Sequence, residues 1–92
     1  MVECRVKIVN RLGLHARAAA KLVRAATAFQ STLRLVRLDR GAAADAKSIL
    51  SVLMLAASHG TELIITAEGA DEGLALDALC RMIAGGFGEE EE

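Results

Sequence analysis

One of the two histidines of the chain stands between a glycine and a run of alanines. His15 follows Gly13 and Leu14, and residues 16–20 are four alanines and Arg17. Glycine usually interrupts regular structure and alanine is the best helix former, so we expect His15 at the point where a loop becomes a helix. An imidazole at such a point can accept a transferred group, act as a general base, or simply cap the helix.

A helix that begins at Ala16 would place His15 in an anion-binding environment. The first amides of a helix lack partners within it and carry partial positive charge, so they bind phosphate. If His15 is the cap residue, the nearest free donors are the backbone amides of Ala16 and Arg17, and the Arg17 guanidinium can add a charge-assisted contact. The same positive end favours a neutral, nucleophilic imidazole. The pattern therefore predicts phosphoryl acceptance and release at His15, with a plain surface cap as the alternative.

Positive charge is concentrated in the half of the chain that contains His15. Residues 1–40 carry nine Lys and Arg against two acids, a net +7, whereas residues 41–92 carry two against ten, a net −8. A basic field attracts acidic partners, whether nucleic acid, phosphate or an acidic protein face. The terminal glutamates, residues 89–92, are predicted to form a solvated, disordered tail.

The composition argues against several other functions. The chain has 92 residues, 53% of them hydrophobic, with two Phe and no Trp or Tyr. Its single modest core must be aliphatic, and it offers no aromatic platform for stacking nucleic-acid bases. We find no dinucleotide-binding, Walker or metal-binding motif, so no cofactor, metal or nucleic acid is expected. A free-standing enzyme that uses His15 as a general base would need an orienting partner and a pocket, which so small a domain hardly provides.

The remaining residues with reactive side chains are expected to be structural. Cys4 and Cys80 lie in apolar patterns without CxxC spacing, which predicts reduced core thiols and no disulfide or metal pair. His59 precedes Gly60 in a predicted loop and is expected to be solvated, not a second phosphoryl acceptor. The start of the chain has no signal-peptide h-region, and no apolar stretch approaches the ~20 residues of a membrane helix. We therefore expect a cytoplasmic protein without membrane contact.

Hydrophobic spacing predicts the elements that must position His15. Alternation of apolar and polar residues indicates strands, and a period of about 3.6 residues indicates helices. The predicted strands are 2–8, 32–38, 42–44 and 62–67, and the predicted helices are 16–29, 47–56 and one that starts within 69–72 and ends near 84. The order βαββαβα favours a two-layer α+β fold, with helices on one face of a four-stranded, mainly antiparallel sheet.

The segment around His15 resembles a known family. Residues 13–19, GLHARAA, are similar to the active-site motif of the HPr family, the histidine phosphocarriers of the phosphoenolpyruvate-dependent phosphotransferase system. Residues 47–49 look like the regulatory serine segment of that family, and residues 60–65 also match. The likeness covers about residues 2–88, with the motifs in the family's order and spacing. The domain is therefore expected to span residues 1–88.

Two further segments, residues 48–55 and 86–89, are similar to the nitrogen-related NPr branch of the family. The resemblance implies an open-faced β-sandwich that is phosphorylated on Nδ1 of His15. The implied donor is an enzyme I-type protein and the implied acceptor an enzyme IIA-type protein, in sugar uptake or in nitrogen-related regulation. Such a protein is a transiently phosphorylated carrier, expected to be monomeric, and not an enzyme itself. A regulatory relative that binds partners without onward transfer is the alternative.

The resemblance and the residues together suggest roles for the surface around His15. Arg17 would assist phosphoryl acceptance, and Ser48 would be the target of a serine kinase and phosphorylase. The expected partner-docking residues are Lys21, Arg24, Leu50, Leu53 and Met54. The alternatives are a helix cap for Ser48, a plain solvated face for the basic residues, and core packing for the apolar ones.

Ala18 departs from the pattern of the family, which usually has proline directly after the arginine. Proline suits the first turn of a helix because its φ is preset and its missing N–H costs little there. Alanine keeps the helix and restores one free amide, while His15 and Arg17 stay in place. We therefore expect a looser but working site.

Overall fold

The computed structural model describes residues 1–89 and contains, within them, four strands and three α-helices in the order βαββαβα. The strands are β1 (Val2–Lys7), β2 (Thr32–Arg37), β3 (Ala43–Asp45) and β4 (Glu62–Glu68). The helices are α1 (Ala16–Thr27), α2 (Ile49–Met54) and α3 (Glu72–Ala84), followed by a 3-10 turn, Gly86–Gly88. The predicted α+β class and element order are confirmed.

The four strands form one sheet in the order β1-β4-β2-β3, and each neighbouring pair is antiparallel. Side chains alternate between the two faces of each strand. Leu33 and Leu35 of β2 and Leu63 and Ile65 of β4 are therefore fully buried on one face, under the helices. The other face is open, and Arg34 is exposed there. The molecule is thus an open-faced sandwich.

Small side chains let helix α1 pack closely on the rest of the core. Ala18, Ala19, Leu22 and Ala26 lie on its buried face, at positions about one helical turn apart. Burying an aliphatic side chain of leucine size contributes roughly 1.5–3 kcal/mol, so Leu22 gives this face its largest single contribution. The close packing fixes the axis of α1 and thereby the position of its first residue.

The two cysteines contradict the sequence prediction. We expected separate reduced thiols, but Cys4 of β1 and Cys80 of α3 are joined in a disulfide, with Cα atoms 7.0 Å apart. Cys4 points toward the helix layer because β1 alternates, and α3 packs against β1. The two residues are 76 positions apart in sequence, so their spacing could not show that the fold makes them neighbours.

Helix α2 is shorter than the predicted range 47–56. It begins after Ser48, whose side-chain oxygen accepts a hydrogen bond from the backbone N–H of Ser51 at 3.3 Å. A serine cap of this kind satisfies an amide that the helix itself cannot. At the other end Ala56 has a left-handed φ of 52°, which the helix cannot continue through. These two features limit α2 to six residues.

Candidate functional site

His15 caps the N-terminus of helix α1. Its backbone is extended, with φ −74° and ψ 177°, and its Nδ1 accepts a hydrogen bond from the backbone N–H of Arg17 at 3.2 Å. Its carbonyl accepts the first helical hydrogen bond, from the N–H of Ala19 at 2.8 Å. The helix starts here because an acceptor side chain on extended backbone precedes a run of strong helix formers. The imidazole is 25% exposed and so can be reached from solvent.

The loop before His15 rests on the loop that follows helix α2. Gly13 has φ +66°, and a Cβ placed on it would lie 2.6 Å from the carbonyl oxygen of Ala57 and 2.7 Å from Cα of Ser58. Leu14 donates its backbone N–H to the same Ala57 oxygen at 2.9 Å. Two features therefore require glycine at position 13: its left-handed backbone and the close approach of the Ala57–Ser58 backbone. This contact fixes the position of His15 relative to α2.

A buried arginine supports that second loop. The Nη1 of Arg37 donates to the carbonyl oxygens of Leu55 at 2.8 Å and Ala56 at 3.2 Å, at the C-terminal end of α2. Its Nη2 pairs with Asp39 at 2.7 Å, and this hydrogen bond raises the pKa of Arg37 and lowers that of Asp39. A cation suits the carbonyl end of a helix. The sequence contains a signal for this role that we missed. Arg37 is a charged residue at an inward position of the alternating strand β2.

The ring of His15 has a carboxylate neighbour that the sequence analysis did not predict. Oε2 of Glu89 lies 2.5 Å from Nε2 of His15, and Oε1 of Glu89 accepts from Nδ2 of Asn10 at 3.1 Å. The hydrogen bond to His15 is the main cause that lowers the pKa of Glu89, and burial opposes it. We assigned Glu89 to the solvated tail, but it forms part of the site, while residues 90–92 lie outside the described residues.

The predicted basic face of α1 divides into two kinds of residue. Arg17 and Arg24 are exposed. Lys21 is half-buried, and its Nζ donates to the carbonyl oxygen of Phe87 at 3.0 Å. The ammonium group of Lys21 thus contacts the segment that leads to Glu89, and its role in partner docking stays a prediction.

Helix α2 presents an apolar surface to solvent next to α1. The side chains of Leu50, Leu53 and Met54 are 66%, 37% and 76% exposed, whereas Val52 is fully buried. We call the three exposed residues the α2 apolar patch. The alternative of core packing therefore does not hold for these three residues. Ser48 is half-buried at the start of the same helix, where it is the cap residue.

The other reactive groups lie apart from this arrangement. His59 is exposed in the turn that precedes β4. Within residues 1–89 no group of three or more His, Cys, Asp or Glu is placed to hold a metal ion. In the same part of the chain, none of the helices has the length and apolar character needed to cross a membrane. The site thus consists of an accessible imidazole, an adjacent helix start and a carboxylate on its far nitrogen.

Comparison with known proteins finds close similarity over the whole chain. A model of the family described as the PTS HPr component phosphorylation site matches residues 2–85. The phosphocarrier protein HPr of Cupriavidus necator is 46% identical over 91 residues, which cover 99% of this chain and 100% of that protein. The phosphocarrier protein NPr of Proteus mirabilis is 44% identical and covers 94% of each chain. The crystal structure of HPr from Thermoanaerobacter tengcongensis has a TM-score of 0.91 and 38% identity, with 99% and 100% coverage.

Proposed function

This chain belongs to the HPr family of phosphotransferase-system phosphocarriers, and we propose that His15 is the residue on which it carries the phosphoryl group. The protein is a histidine phosphocarrier, not an enzyme, and it interacts with enzyme I and enzyme IIA-type proteins. The observation that best supports His15 is its place as the cap of α1, with Nδ1 facing the amide of Arg17 at 3.2 Å. A phosphoryl group bound to Nδ1 would meet the positive end of this 12-residue helix.

The proposed transfer needs no general base. The lone pair of Nδ1 attacks the phosphorus atom of the donor's phosphohistidine, and the donor's N–P bond breaks as the new bond forms. The backbone amides of Ala16 and Arg17 then bind phosphoryl oxygens, and the guanidinium of Arg17 adds a charge-assisted contact. Onward transfer reverses these steps toward an acceptor histidine. The role of this chain is to position and stabilise the group between two partners.

We propose that both partners dock on the α2 apolar patch together with the exposed Arg17 and Arg24. Exposed leucine and methionine side chains favour partner binding, because covering their apolar surface lowers the free energy. The arginines beside them favour a partner with an acidic rim and speed its approach. We further propose that the protein acts as a monomer in the cytoplasm.

The relay is tested by following the intact mass of the protein. Incubation with phosphoenolpyruvate and enzyme I is expected to add the mass of one phosphoryl group, and subsequent addition of an enzyme IIA-type protein is expected to remove it. Acceptance without onward transfer to any such acceptor would favour the regulatory alternative. No mass increase at all would contradict the proposed function.

We propose that Ser48 is a regulatory phosphorylation site for a serine kinase and phosphorylase. A phosphate there adds roughly −1.5 to −2 charges beside the α2 apolar patch and should repel acidic partners. Ser48→Asp should therefore slow phosphoryl transfer from enzyme I several-fold at low ionic strength. The difference should narrow in high salt, because the Debye length falls from about 10 Å at 0.1 M to about 3 Å at 1 M.

The matched control is Ser48→Asn, which keeps a capping side chain but adds no charge. Transfer rates are measured by rapid quench at low and high salt, with circular dichroism as the folding control. Equal slowing in both variants would assign the effect to the altered side chain and not to its charge, and it would contradict the regulatory role, as would equal rates in all three folded proteins.

Proline should be tolerated at Ala18, the third residue of helix α1. This residue is fully buried, and it lies in the first helical turn, where the N–H has no partner within the helix. Ala18→Pro should change the free energy of unfolding by no more than about 1 kcal/mol, because the restriction of the unfolded chain is opposed by the added ring carbons at a buried position. Thermal unfolding and the rate of phosphoryl acceptance measure the two effects. A folded but inactive variant would contradict the placement of the helix start at Ala16.

A further inference from the structure

We propose that Glu89 is a positioning residue for phosphoryl transfer: its carboxylate holds the hydrogen of His15 on Nε2 and stabilises the ring as it gains positive charge. This inference rests on the proposed function of His15 and adds a role that neither the motif nor the charge pattern indicates. It is drawn from the contacts of both ring nitrogens.

The two nitrogens of His15 have different partners, and together they define the tautomer. Nδ1 accepts a hydrogen bond from the N–H of Arg17 at 3.2 Å, so this nitrogen carries no hydrogen. Nε2 lies 2.5 Å from Oε2 of Glu89, and a carboxylate only accepts. The hydrogen of the neutral ring is therefore on Nε2, and the lone pair is on Nδ1. This is the form that can attack phosphorus without first losing a proton.

Charge balance explains why a carboxylate helps the transfer itself. When the lone pair of Nδ1 forms the bond to phosphorus, Nε2 keeps its hydrogen, and the ring changes from neutral to a phosphoimidazolium with one positive charge. The donor's phosphohistidine ring loses the corresponding charge as its N–P bond breaks. Oε2 of Glu89 lies within hydrogen-bond distance of Nε2, at 2.5 Å. The attraction between the carboxylate and the ring therefore increases as the ring becomes positive. An interaction that strengthens as charge develops lowers the barrier.

The same carboxylate also repels the phosphoryl group, but this effect is the smaller one. Glu89 lies on the Nε2 side of the ring, and the phosphoryl group arrives on the Nδ1 side. Coulomb energy falls with distance, so the attraction to the adjacent ring exceeds the repulsion of a group beyond it. The amide of Arg17 faces the phosphoryl side and offsets part of that repulsion.

Several contacts hold Glu89 in this position. Asn10 donates to Oε1 of Glu89 at 3.1 Å and to the carbonyl oxygen of Gly13 at 2.8 Å, which joins the carboxylate to the loop before His15. Lys21 donates to the carbonyl oxygen of Phe87, a residue that is only 4% exposed. The side chain of Glu89 is itself only 19% exposed. A preorganised acceptor of this kind costs little reorganisation during the reaction.

The first test is spectroscopic and needs no phosphoryl transfer. Nitrogen-15 NMR of the His15 ring, at a pH where its spectrum shows a neutral imidazole, should show hydrogen on Nε2 in the wild type and in Glu89→Gln, whose amide oxygen still accepts. Glu89→Ala should shift the population toward the Nδ1–H form. The control is Glu68→Gln, which removes the same charge from an exposed position on β4. A ring unchanged in Glu89→Ala would overturn the tautomer role.

The second test measures the rate of phosphoryl acceptance from enzyme I in the same four proteins. Glu89→Ala should be slower by about tenfold, the low end for a charge-assisted hydrogen bond because the pair is partly exposed. Glu89→Gln should fall between Glu89→Ala and the wild type, and Glu68→Gln should match the wild type. Unchanged or faster transfer in both Glu89 variants would overturn the proposal. Failure of the wild type to accept a phosphoryl group would instead overturn the proposed function, whatever the NMR spectra show.

Discussion

Replacing His15 with alanine is expected to abolish phosphoryl acceptance while the domain stays folded. The variant lacks the Nδ1 atom that faces the amide of Arg17, and no other group takes its place at the start of α1. The fold loses a helix cap, which costs about 0.5–2 kcal/mol and leaves most of the stability of a small domain intact. Intact mass after incubation with phosphoenolpyruvate and enzyme I measures the loss, and circular dichroism checks the fold.

The chemistry of the label provides a second criterion. A phosphoramidate on histidine is labile in acid and stable in base, unlike a phosphate ester on serine. The matched control is His59→Ala, which removes the exposed histidine and should be labelled like the wild type. An acid-labile label on folded His15→Ala would show that another residue carries the phosphoryl group.

Gly13→Ala is expected to destabilise the protein by about 2–5 kcal/mol, because two costs add at this position. The left-handed backbone, with φ +66°, is unfavourable for any residue with a Cβ. The new methyl group would also lie 2.6 Å from the Ala57 oxygen, and that contact is to backbone that cannot rotate away. Denaturant unfolding monitored by circular dichroism measures the loss. The displaced loop should slow phosphoryl acceptance as well.

Gly41→Ala separates the two costs. Gly41 has a similar φ of +70°, but a Cβ there meets nothing within 4 Å. This variant should lose only about 1–2 kcal/mol, the cost of the left-handed backbone alone. Equal losses in the two variants would contradict the close packing between the loop before His15 and the loop after α2.

Local patterning was sufficient to predict the fold. Composition and hydrophobic spacing located the strands and helices in the right order, because these signals depend only on residues close together in the chain. The structure then shows which strand residues face inward, among them Leu33, Leu35, Leu63 and Ile65. The predicted ends of helix α2 were less accurate, since the helix spans Ile49–Met54 and not residues 47–56. The composition of residues 47–56 favours a helix throughout, but a cap at one end and a left-handed backbone at the other shorten it.

The site was only partly predictable. His15 and Arg17 could be found because their spacing and the adjacent helix start are local features. The contacts of Glu89 with His15 and of Cys4 with Cys80 join residues 74 and 76 positions apart. A run of glutamates at a chain end has the composition of a solvated tail, and nothing in that composition indicates that its first member turns back to the imidazole.

The most direct test of the central claim is the position of the phosphoryl group on the wild-type protein. Nitrogen-15 and phosphorus-31 NMR of the phosphorylated, isotope-labelled chain can assign the phosphorus atom to one nitrogen of one histidine. We predict coupling of phosphorus to Nδ1 of His15, with hydrogen retained on Nε2. Phosphorus on Nε2 of His15, on His59 or on a serine would contradict the account.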